Sequence, residues 1–126
     1  MPHRALTAPL ATALALSLSA CGGGTDPEGF ACTMEVRTSV LVTALDTRSA
    51  PIPSPSVSYQ INDGPAQVQG CPAAGACPVG EEQSGRFRLT VSKVGYVSAQ
   101  AEVQVNRDVC HVLTERVSVV LRLAPG

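Results

Sequence analysis

Reactive side chains are few in this chain, and five cysteines supply most of them: Cys21, Cys32, Cys71, Cys77 and Cys110. Cys21 stands apart, directly after an apolar run and ahead of Gly22-Gly23-Gly24. The other four admit two chemistries. As metal ligands they would combine Cys110-His111 with Cys71 and Cys77. That arrangement is poor, because neighbours on a strand face opposite ways. The Cys71–Cys77 interval also exceeds the roughly two to four residues usual between paired zinc ligands. As half-cystines the four would form two disulfides, with three possible pairings, in an oxidising compartment. The expected pairs are Cys71–Cys77, closing a loop of small residues, and Cys32–Cys110, for a geometric reason given below. No metal and no cofactor is implied.

His111 is the one histidine besides His3, so any Ser/His/Asp catalysis would have to be built on it. No Gly-x-Ser-x-Gly is present, and His111 reads as an ordinary residue in a loop or leading into a strand. A carboxylate pair for glycoside hydrolysis would have to be assembled from Asp63, Glu81, Glu82 and Asp108. Glu81-Glu82 sits in a Gly/Ser-rich stretch and reads as solvated charge. Sugar recognition would need exposed aromatic faces; the chain has no Trp and only Phe30, Tyr59, Phe87 and Tyr96. By alternation Tyr59 and Phe87 point inward, which leaves Phe30 and Tyr96. The expectation is a protein that is not an enzyme.

The elements that would position these groups have a period of two. Val36, Thr38, Val40, Val42 and Ala44 alternate with Arg37, Ser39, Leu41 and Thr43, a first strand. Residues 49–55 hold three prolines and mark a crossing loop. Val57, Tyr59 and Ile61 form a second strand. Asn62-Asp63-Gly64-Pro65 is turn chemistry, with Gly64 available for positive φ, and Ala66 and Val68 belong to a short hairpin partner. Residues 70–85 read as a loop. Phe87, Leu89 and Val91 form the next strand, and Lys93 to Tyr96 a turn. Residues 97–105 form another strand, residues 106–108 a turn, and Val117 to Leu123 the closing strand.

Alternation of this kind gives sheets with one dry and one wet face, and two of them packed dry face to dry face make a sandwich. The expected fold is all-β, an antiparallel β-sandwich of about seven strands. If the first and last strands run side by side in parallel, Cys32 and Cys110 lie near their starts. That is the basis for pairing them.

The first twenty residues belong to a different kind of sequence. Met1 to Arg4 is mildly basic, and Ala5 to Leu18 is an apolar stretch of fourteen residues, the length of a signal-peptide core and too short to span a bilayer. Leu18-Ser19-Ala20-Cys21 resembles the lipobox of bacterial lipoproteins at every position. The resemblance implies cleavage before Cys21, a diacylglyceryl group on its thiol, and acylation of the new amine, palmitate being among the acyl chains. Two or more chains hold a protein to a membrane stably where one does not. Gly22, in place of Asp, favours the outer membrane by the same resemblance.

The organisation expected is therefore a signal peptide over 1–20, a Gly-rich tether over 21–30 that has no apolar side chain before Phe30, and a domain over 31–126. The processed chain would have 106 residues and a net charge of −2. It carries no basic stripe, so nucleic acid is not an expected partner.

From Arg37 onward the pattern resembles the carboxypeptidase regulatory-like, transthyretin-like β-sandwich domains. The residues that carry the resemblance are the Val-rich strand ending at Asp46, Ala50-Pro51-Ile52, Ser84-Gly85-Arg86-Phe87, Val94-Gly95-Tyr96 and the closing Val117 to Leu123. Thr47 to Ala50 stands where that family has a Gly turn, so this loop is longer here. The resemblance implies accessory, adhesive or scaffolding roles and carries no catalytic residues. The expected function is a lipid-anchored, non-catalytic module of the cell envelope that meets a protein or envelope partner. The alternative is a binding protein for a small hydrophobic, peptide or glycan ligand, seated in the sandwich or on the loops 49–55 and 70–85.

Overall fold

A computed structural model describes residues 31–126. The expected signal peptide and tether, with Cys21 and Phe30, lie outside the described residues. The domain is all-β, and two sheets enclose one core.

The first sheet has the order β4-β1-β8, with β1 Thr38–Leu45 in the middle, β4 Cys77–Glu81 and β8 Glu115–Val120. The second has the order β3-β2-β5-β7, built from β2 Ser56–Ile61, β3 Gln67–Gly70, β5 Gly85–Ser92 and β7 Ala99–Val105. A short ribbon pairs β6 Tyr96–Val97 with β9 Arg122–Leu123. Seven of these strands have four or more residues, in line with the number expected.

All pairings in the two large sheets are antiparallel except one. β1 and β8 run parallel, with Val42 opposite Val117 and Leu45 opposite Val120. The parallel start of these two strands brings the chain before β1 next to the loop before β8, and the candidate site is built there.

The core comes from the alternation. Val40, Val42 and Val79 from the first sheet meet Val57, Phe87, Leu89 and Val91 from the second, each with at most 1% of its surface exposed. Tyr59 and Phe87 both point inward, and their rings stack at 6.1 Å. β1, β2 and β5 take the interior positions, and each turns β-branched or aromatic residues to the core there, where such side chains pack on both flanks.

Four expectations need correction. Residues 70–85 are not all loop: Cys77–Glu81 forms β4, paired antiparallel with β1. Pro78 and Gly80 hid it, yet both are tolerated at a sheet edge, where a missing N–H is not needed by a neighbour. The first strand starts at Thr38, and Val36 is exposed. The strand drawn over 97–105 is broken at Ser98. The closing strand is broken at Leu121, which is fully buried and donates its N–H to the Leu45 carbonyl at 2.8 Å.

The turn after β2 also differs in detail. Asn62 and Asp63 take φ of 51° and 60° themselves, and the Gly64 N–H donates to the Ile61 carbonyl at 2.9 Å. Paired left-handed residues match the twist of antiparallel strands, which is why Asn and Asp serve here. A glycine is needed instead at Gly85, where φ is 133° and an added Cβ would lie 2.5 Å from the Asn62 side chain.

Candidate functional site

Three segments that are remote in sequence converge beside the β1/β8 start. They are the arm 31–37 ahead of β1, the turn between β4 and β5, and the loop 106–114 between β7 and β8.

The loop is shaped by Asp108. Its Oδ1 accepts the N–H groups of Cys110 and His111, each at 2.8 Å, and its own N–H donates to the His111 carbonyl at 2.9 Å. Those N–H bonds, that of His111 first, hold the Asp108 carboxyl below its ordinary pKa. A loop closed so tightly turns His111 inward, where it keeps 8% of its surface.

The imidazole is held at both nitrogens. Nδ1 lies 2.7 Å from Glu82 Oε1, and Nε2 lies 3.0 Å from Thr33 Oγ1. Glu82 is itself fixed by backbone. Oε1 accepts the Arg37 N–H at 2.9 Å and Oε2 the Val112 N–H at 3.2 Å. The Arg37 N–H is the leading cause of a lowered Glu82 pKa, opposed by partial burial and reinforced by His111. An ionised Glu82 can only accept, so Nδ1 carries the proton shared between them.

A disulfide joins Cys32 to Cys110 directly beside this cluster, and a hollow of about 310 Å³ opens there, lined in part by Ala31, Arg37 and Val109. The second disulfide, Cys71–Cys77, links the end of β3 to the start of β4, tying the edge strands of the two sheets together. All four cysteines are thus half-cystines, and their thiolates are not offered to a metal.

The order hydroxyl, imidazole, carboxylate invites a comparison with activated nucleophiles. The neighbouring backbone donors are already engaged. The N–H groups of Cys110, His111 and Val112 are committed to the carboxylates of Asp108 and Glu82. The arrangement is well made as a clasp that binds the arm to the sandwich.

Sequence reasoning treated Glu82 as solvated, which the structure corrects; His111 does sit in a loop leading into β8, but it is buried and paired at both ring nitrogens. Glu81 is exposed, but Glu82, at φ 50°, turns under the arm. No spacing signals the contact, which spans 29 positions. Ser39 was also missed. It is fully buried and accepts the Gln83 N–H at 3.0 Å, because the β4–β5 turn covers that face of β1. Asp63 lies apart, in exposed ion pairs with Arg86 and Arg88. Tyr96 is half-buried against the core.

A second concavity, of about 450 Å³, lies where the sheets part along the β3 and β4 edges. Thr38, Tyr59, Gln69, Gly80, Glu81 and Gln83 line it, so it is polar and holds a single carboxylate.

No protein-family model and no curated protein matches this chain. Among solved structures it is similar to the 5-hydroxyisourate hydrolase of Klebsiella pneumoniae. The identity is 13% and the TM-score 0.47, over 71% of this chain and 93% of that one. At that identity and score nothing about activity or site residues is carried over.

Proposed function

We propose that the protein is a lipid-anchored lipoprotein of the cell envelope, attached through Cys21, whose β-sandwich is a non-catalytic structural or protein-interaction module. The observation that carries the proposal is the complete Leu18-Ser19-Ala20-Cys21 box. It stands only eleven residues ahead of Cys32, where a disulfide and the His111 clasp fasten the chain to the domain. A module held to a membrane by its N-terminal segment needs that segment secured to its fold, and this one is secured covalently. The commitment of the backbone donors around His111 to carboxylates supports the non-catalytic part. Replacing Cys21 by Ala tests the proposal: the protein should leave the membrane fraction and stop incorporating labelled palmitate. Continued membrane attachment without label would overturn it.

A second reading, a binding protein, is favoured by the concavity along the β3 and β4 edges, since residues 78–83 from one of the suspected loops help to form it. Its polar lining fits a neutral hydrogen-bonding ligand better than an apolar one. Amide chemical-shift changes confined to Tyr59, Gln69 and Gln83 on titration with neutral sugars or peptides would support this reading. Uniform silence across both ligand classes would remove it.

A further inference from the structure

The two disulfides are not equally open to attack. Cys77 keeps 1% of its surface, and Cys71 is partly buried against the core. Cys32 is exposed and Cys110 half-exposed, and both form part of the wall of the 310 Å³ hollow. That hollow is large enough to seat a thiol-bearing side chain or a small thiol. Arg37 and Asp108 both line it, and the cation offsets the carboxylate that an incoming thiolate would otherwise meet unopposed. Thiol–disulfide exchange depends on access to a sulfur and on the charge met by the attacking thiolate.

We propose that the Cys32–Cys110 bond is a thiol–disulfide exchange site, open to a small thiol or an exposed protein thiol, while Cys71–Cys77 is a permanent crosslink. The attacking thiolate forms a bond to Cys32 Sγ, the Cys32–Cys110 bond breaks, and Cys110 leaves as a thiolate that takes a proton from water. A second thiol attacks the mixed disulfide and releases Cys32. Two thiols are oxidised to one disulfide and the protein cystine is reduced by two electrons.

Opening the bond leaves the arm held by the single Thr33–His111 hydrogen bond and by Arg37, whose backbone pairs with Glu82. Once the Thr33 contact also lets go, the last fixed point of the chain moves from Cys32 to Arg37, five residues on. The reach from Cys21 grows by roughly 17 Å at full extension. This consequence for a tethered module rests on the anchoring proposed above, and the exchange itself does not.

The test uses the full protein, isolated from the envelope fraction under non-reducing conditions and exposed to limiting reduced glutathione. Alkylation traps free thiols at intervals, and peptide masses report each cysteine separately. Cys32 and Cys110 should become alkylated at least about tenfold faster than Cys71 and Cys77, with the glutathione adduct on Cys32. Equal rates, or earlier opening of Cys71–Cys77, would overturn the proposal. Arg37→Gln should slow the opening by roughly two- to fivefold at low salt; an unchanged rate contradicts the role given to Arg37. The intact mass of the same sample separates the two proposals. Selective opening of a chain without acyl mass overturns the anchor alone, and unselective opening of an acylated chain overturns the exchange alone.

Discussion

Removing the two crosslinks one at a time should rank them by loop length and expose how the domain is held. Cys32–Cys110 spans 78 positions and Cys71–Cys77 spans 6. In the chain-entropy treatment the longer loop stabilises the fold by about 4.5 kcal/mol and the shorter by about 2.4 kcal/mol. Cys77 is buried, so replacing it by Ala adds a small cavity worth roughly 1 kcal/mol. The ranking survives that addition. Small domains have about 5–15 kcal/mol in total, so the Cys32→Ala/Cys110→Ala protein should be close to marginal. Urea unfolding followed by far-ultraviolet circular dichroism suits a chain without Trp. The urea slope should rise as well, because the released chain exposes more surface when unfolded. A loss below about 2 kcal/mol for the long-loop pair, or a larger loss for the short-loop pair, would refute the reasoning.

Other consequences follow from single contacts. His111→Ala removes both of its hydrogen bonds and should cost about 1–3 kcal/mol, read from the urea midpoint. Amide exchange should accelerate in residues 31–37 of that variant, with β2 and β5 unaffected. Glu82 and Asp108 have pKa values lowered by folding, so the stability they contribute is present at neutral pH. It is lost as pH falls through their folded values, which lie below the ordinary carboxylate range. Asp108→Ala should therefore show a shallower acid limb than the parent protein in unfolding midpoints taken between neutrality and about pH 2. Gly80→Ala places a Cβ 3.1 Å from Phe87 at φ 73°, and should cost more than about 1 kcal/mol of thermal stability.

The core was legible in the sequence because it follows from alternation. Val40, Val42, Val57, Phe87, Leu89 and Val91 stand where period-two reading puts them, and the fold class came with them. The β4 strand was hidden by Pro78 and Gly80, residues that count against a strand in general but not against an edge. The breaks at Ser98 and Leu121 were hidden for the opposite reason. Alternation continues through both, and only the docking of β6 on β9 interrupts the ladders. The clasp was illegible for a third reason. Glu82, Thr33 and His111 meet through tertiary placement alone, each from a segment whose local composition reads as loop. Even so, the juxtaposition of the arm and the 106–114 loop was within reach, since it depends on β1 and β8 running in parallel.

The most direct test of the anchored, crosslinked module is the intact mass of the protein taken from membranes, measured before and after full reduction. The account predicts a chain that begins at Cys21, carries acyl mass, and gains four protons on reduction. A chain without acyl mass would contradict the anchor, and a mass unchanged by reduction would contradict the crosslinks that fasten the arm to the domain.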